Sequence, residues 1–178
     1  MSQRGSRKET MKSMRGVLPV FISGLLSFAS SSMAATVLNG EISVSPNDRV
    51  PDASTTALYI TVREDAGVWQ SAVRNFKPPP VLTKRIPVSA SSFPYKFTID
   101  SGFDSTLEGQ QTYDKWSSGK GLLISVRIDE DGVAATRGPN DLVGKGTTER
   151  KKGDTQWPST NIEVTGRGIA GKILTSGK

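Results

Sequence analysis

The chain has 178 residues, with 23 Lys and Arg against 17 Asp and Glu for a formal net charge of +6, and it contains neither cysteine nor histidine. Those two absences exclude a disulfide framework, thiolate metal sites and Ser-His or Cys-His catalysis, because the usual general base and the usual imidazole ligand are both missing. With 35% hydrophobic residues, 18 Gly and 10 Pro, the composition suits one turn-rich globular domain, and no solenoid repeat is visible.

The basic excess sits at the start. Arg4, Arg7, Lys8, Lys12 and Arg15 face only Glu9 within the first 34 residues, a net of +4, which leaves +2 for the rest. Val17 to Ala29 is an apolar run broken by Pro19 and Gly24, and Ser32 and Ala34 supply small residues before a cut at Ala35. This order predicts a Sec signal peptide over 1–34, since the run is shorter than the about 20 residues a membrane span needs. The expected mature protein is periplasmic or secreted, with no membrane span after cleavage. The competing reading is an uncleaved anchor over Val17 to Ala35, and Met11 and Met14 are alternative starts. A remainder so close to neutral lacks the footprint of phosphate neutralisation, so no nucleic-acid partner is expected.

Beyond the leader, period-2 alternation dominates the chain. Leu38, Gly40, Ile42 and Val44 share one face, as do Leu58, Ile60 and Val62. After Pro78-Pro79-Pro80, Val81 to Ser89 places Leu82, Ile86 and Val88 on one parity with Lys84 between them, and Pro87 marks an edge strand or a strand end. Tyr95, Phe97 and Ile99 alternate with Lys96, Thr98 and Asp100. Phe103 to Trp116 has no clear period and predicts a loop with at most one helical turn. Leu122, Ile124, Val126 and Ile128 form the apolar face of a central strand. Asp131-Gly132 comes next as a tight-turn signal, and Val133 and Ala135 predict a short returning strand. Lys145 to Trp157 is polar and predicts a long loop, and Ile162 and Val164 close the pattern. The expectation is an all-β domain over 35–166 with about seven strands in two antiparallel sheets, a sandwich, ending in a Gly-rich tail over 167–178.

These segments, LNGEISVSP, ALYITVRE, PPPVLTKRIPVSASSFPYKFTID, LLISVRIDEDGVAATRGPNDLVG and NIEV, stand in an order that resembles the C-terminal periplasmic, immunoglobulin-like domain of the cytochrome c-type biogenesis protein H family. The resemblance spans most of Val37 to Val164. It implies an immunoglobulin-like sandwich, an exported location and a protein or peptide partner, with apocytochrome c or the haem-ligation machinery as the family's own. The membrane helices and TPR region of that family have no counterpart in this sequence. The family offers no catalytic residues to carry over.

No catalytic, cofactor or metal-binding residue is singled out. Asp129-Glu130-Asp131-Gly132 offers oxygen ligands for Ca²⁺, but it lacks EF-hand spacing and reads better as a solvated turn. Arg150, Lys151 and Lys152, with Lys145 and Glu149 nearby, read either as a basic rim for an acidic peptide or anionic lipid or as a solvated loop. Tyr113, Trp116 and Trp157 read either as partner contacts or as caps on the ends of the core. Three functions compete on this reading. The first is a non-catalytic protein-interaction module docking through surface or sheet edge. The second is a carbohydrate- or envelope-binding module in which Trp116 and Tyr113 stack on sugars, which burial of both would remove. The third is a hydrolase, which needs two carboxylates at roughly 5–10 Å in one pocket, and no spacing here suggests such a pair.

Overall fold

The structure, a computed structural model, describes residues 36–65, 67, 77–151, 154 and 156–167. The leader expected over 1–34 lies outside the described residues, as do 68–76 and all of the expected tail except Arg167.

Among the described residues seven strands form, all but β6 where period-2 alternation is visible in the sequence: β1 Thr36–Val44, β2 Ala57–Glu64, β3 Leu82–Pro87, β4 Tyr95–Asp100, β5 Gly121–Asp129, β6 Leu142–Glu149 and β7 Thr160–Gly166. They hydrogen-bond in the order β3-β2-β5-β6-β7-β1-β4. Neighbours are antiparallel except β1 and β7, which run parallel with Gly40 opposite Thr160 and Val44 opposite Val164. The all-β class and the strand count are as expected. Two separate antiparallel sheets are not what the hydrogen bonding describes, however. The mixed sheet curls until its edge strands face each other, nearly closing a barrel. Lys84 bridges that seam, its Nζ donating to Thr98 O at 2.8 Å and pairing with Asp104 at 3.0 Å. A lysine at an otherwise apolar parity thus finds its place at the rim of the sheet, where β3, the strand marked by Pro87, forms the edge.

The inward parity is the predicted one. Leu38, Ile42, Leu58, Ile60, Val62, Leu122, Ile124, Val126, Ile128, Ile162 and Val164 are all buried in one core with Phe97 and Ile99. Full burial of such a side chain stabilises by about 1.5–3 kcal/mol, so the core is the main source of stability.

Two expectations are corrected. Val133 and Ala135 form no strand, and both are exposed in the turn after β5. The strand that returns alongside β5 is β6, pairing Ile128 with Leu142 and Gly121 with Glu149, and its second half lies in Lys145 to Trp157, where a loop is expected. Alternation does not mark this strand because Gly144 and Gly146 interrupt its inward parity. The glycines are there for contact: a Cβ on Gly144 would stand 2.6 Å from Glu163 O, and one on Gly146 would stand 2.8 Å from Ile162 Cγ1. Bare backbone at these positions lets β7 fold tightly over β6.

The second correction lies between β4 and β5, where two short helices replace the expected loop: α1 Leu107–Gln111 and α2 Tyr113–Ser117. Thr106 caps α1, its Oγ1 accepting from Gly109 N at 2.9 Å, which satisfies one of the orphan N–H groups of the first turn. Trp116 is 0% exposed and its Nε1 donates to Gly109 O at 2.8 Å, so one aromatic fastens both helices to the core. Among the described residues no helix is long and apolar enough to cross a membrane.

Candidate functional site

The outer face of β5, β6 and β7 is concave and encloses about 570 Å³. Alternation makes this so: with Val126, Ile128 and Leu142 turned inward, Ser125, Arg127, Val143 and Lys145 must turn outward. Register then gathers them, Ser125 opposite Lys145, Arg127 opposite Val143, and Val143 opposite Thr165. Val143, Ser125 and Thr165 give a small, weakly polar floor. Around it stand Lys77, Arg127, Arg137, Lys145 and Arg167, with Glu163 the single acid among the described residues of the lining.

These five cations are not equivalent. Arg127 Nη2 lies 2.8 Å from Asp129 Oδ2, and Arg167 Nη2 lies 3.1 Å from Asp141 Oδ2. Both are balanced by carboxylates buried beneath the groove. Among the described residues Arg137 donates only to backbone, to Ala134 O and Thr136 O at 2.6 Å each, and no carboxylate there compensates its charge. Lys77 and Lys145 are exposed, and neither forms an ion pair among the described residues.

The wall carrying Arg137 is held by a polar knot at the turn after β5. Gly132 adopts φ 66°, where a side chain would be strained, and accepts a 2.6 Å hydrogen bond from the Tyr59 hydroxyl. Arg127 donates to Thr136 O at 2.8 Å and to Ala134 O at 3.0 Å, while its guanidinium lies 5.3 Å from the Tyr59 ring centre. Asp131 accepts from Val133 N at 2.8 Å and from the Thr136 hydroxyl at 2.7 Å. Those bonds, with one to Asp129 first among them, hold the Asp131 carboxyl below the usual range. Asp129 behaves oppositely. It is 1% exposed and neither carboxylate oxygen receives an aligned hydrogen bond among the described residues, while Arg127 donates to two carbonyls of the turn. Burial first, and the proton it shares toward Asp131 second, push its carboxyl up to about 6 despite Arg127.

No protein family matches this sequence, and no characterised protein matches it. Among solved structures, an alternative pilotin from the type II secretion system of Vibrio cholerae is similar at a TM-score of 0.46 and 9% identity, over 72% of this chain and 94% of that one. A likeness that distant carries no functional argument.

The residues singled out from the sequence do not converge. Trp116 and Trp157 belong to the core, at 0% and 5% exposure, which leaves no face of either free for a sugar or a partner. Tyr113 keeps an exposed edge and packs edge-on against Trp116 at 5.2 Å. Arg150 is structural: its guanidinium lies 4.6 Å over the Trp157 ring and donates to the carbonyls of Ser117 and Gly119. Lys151 is exposed, its backbone N–H bonded to Asp154 at 3.2 Å, and Lys152 lies outside the described residues. None of the five described residues lines the groove. Of the groove's five cations only Lys145 stands out in the sequence; Lys77, Arg127, Arg137 and Arg167 do not. The usable signal is the outward parity of the central strand, where Ser125 and Arg127 interrupt an apolar run.

Proposed function

We propose that the chain is a non-catalytic protein-interaction module of the cell envelope, and that the basic groove over β5, β6 and β7 is its contact surface. One observation carries this reading: Lys77, Arg137 and Lys145, all without a carboxylate partner among the described residues, converge on a concave face whose lining holds one acid, Glu163. Such a face recognises charge and shape by non-covalent contact. The absence of histidine and cysteine from the sequence supports binding over catalysis. The export reading rests on the leader sequence, and the resemblance to the cytochrome c-type biogenesis protein H family makes apocytochrome c or the haem-ligation machinery the first partners to test.

The experiment is affinity capture with tagged protein from the host's periplasmic fraction, read by mass spectrometry, using wild type and Lys145→Glu side by side. A partner identified with wild type and lost with the variant supports the groove. A partner retained equally by both removes the groove from the reading. Recovery of apocytochrome c or haem-ligation subunits would extend the family's role to this chain.

A further inference from the structure

We infer that the groove holds an extended polypeptide segment in which acidic residues alternate with apolar ones. This rests on the reading of the groove as the contact surface and adds the chemistry of its occupant. The charge argument is specific to three side chains. Arg127 and Arg167 already face Asp129 and Asp141, so a ligand gains little from them. Arg137, Lys77 and Lys145 form no ion pair among the described residues, and an anion placed among them meets attraction opposed there by Glu163 alone.

The floor decides the rest. Val143, Ser125 and Thr165 present methyl groups and hydroxyls between the cations, a surface for a small apolar side chain. An extended peptide sends successive side chains to opposite sides, so alternate residues sit about 6.5–7 Å apart on one side. It can therefore set apolar groups on the floor while its carboxylates reach the lysines and Arg137. Glu163, on the β7 side, repels those carboxylates toward β5 and β6, which fixes where the acids lie. A nucleic acid fits less well, because its evenly spaced phosphates need a continuous basic track and Glu163 interrupts this one.

The test is fluorescence anisotropy with a dye-labelled peptide of alternating Glu and Val, a Lys and Val counterpart, and an oligothymidylate. The acidic peptide is expected to bind and the other two to be silent. The double variant Lys145→Glu, Arg137→Glu, shown to be folded by circular dichroism, is expected to bind about tenfold more weakly or less. Raising salt to 1 M, where the Debye length is about 3 Å, is expected to abolish the signal. Equal binding of the basic peptide, binding of the oligonucleotide in place of the peptide, or no binding of the acidic peptide overturns the inference. If the acidic peptide fails while a captured partner is still lost in Lys145→Glu, the acidic chemistry falls and the groove stands. If both fail, both fall.

Discussion

Asp129→Asn is expected to stabilise the protein at neutral and mildly alkaline pH and to leave it unchanged in acid. Asp129 titrates near 6 in the folded state against 3.8 for an unperturbed carboxyl, because folding takes its carboxylate out of water without giving it an aligned hydrogen bond. A group whose folded pKa is raised stabilises the fold below its unfolded value, and that contribution disappears as pH rises through the folded value. The window therefore runs from about 4 to about 6. The gap between 3.8 and about 6 is worth about 3 kcal/mol. Above that window the wild type carries a buried charge whose nearest cation, Arg127, has its N–H bonds turned to Ala134 and Thr136. Asparagine keeps the shape, stays neutral at every pH and can donate to Asp131 as the protonated acid does.

Asp131 works with the opposite sign. Its lowered pKa contributes stability above the ordinary carboxylate range and loses it as pH falls. The wild type should thus be most stable between the two transitions, and the asparagine variant should keep the acid-side loss while shedding the neutral-side one. Thermal melts followed by circular dichroism from pH 3 to 8 test this. A gain of about 3 kcal/mol corresponds to a rise in Tm of roughly 6–12 °C at pH 8 for a domain of this size, with the two melting curves converging below about pH 4. A variant less stable than wild type at pH 8, or a difference independent of pH, would refute the argument and make the Arg127–Asp129 pair a net stabiliser.

The packing leads to two further expected outcomes. Val126→Asp places a carboxylate where Val126 is 2% exposed on the inward side of β5, and a buried unpaired charge costs enough to unfold a domain of ordinary stability; a cooperative wild-type melt would mean the strand parity is wrong. Gly40→Ala sets a Cβ 2.0 Å from Thr160 O, so the parallel β1–β7 pairing must shift, and a loss of about 1–3 kcal/mol in urea unfolding is expected; unchanged stability would mean that contact relaxes freely.

The core is legible in the sequence where burial is one-sided. In β1, β2, β5 and β7 one parity is apolar, because each strand has one face in the core and one in solvent, and the same parity is buried in the structure. The signal fails where close approach of backbones substitutes for side chains. In β6 the inward positions are Leu142, Gly144, Gly146 and Thr148, and no local pattern distinguishes two packing glycines from two loop glycines. The returning strand expected at Val133 and Ala135 fails for a different reason. The Asp131-Gly132 turn is real, but Asp131 and Arg127 tie the next residues into a knot of side chain to backbone bonds that replaces ladder pairing. The tryptophans are ambiguous for a third reason: large aromatics serve cores and interfaces by the same burial gain, and only the fold decides which.

The groove itself is hidden by arithmetic. Outside the first 34 residues the chain carries only +2, and a nearly neutral stretch gives no warning of a basic face. Neutrality of the whole, however, does not fix the sign of any one surface. Asp129 and Asp141, each 1% exposed, balance Arg127 and Arg167 at the base of the groove, so two of the chain's acids and two of its bases largely cancel there. Lys77, Arg137 and Lys145 are then left facing solvent with Glu163 alone among them. Arg127 and Lys145 come together only because β5 and β6 pair in a register that sets Ser125 against Lys145, and β6 is the strand that alternation does not reveal. A charge pattern that depends on which acids are buried arises from strand pairing, and composition cannot report it.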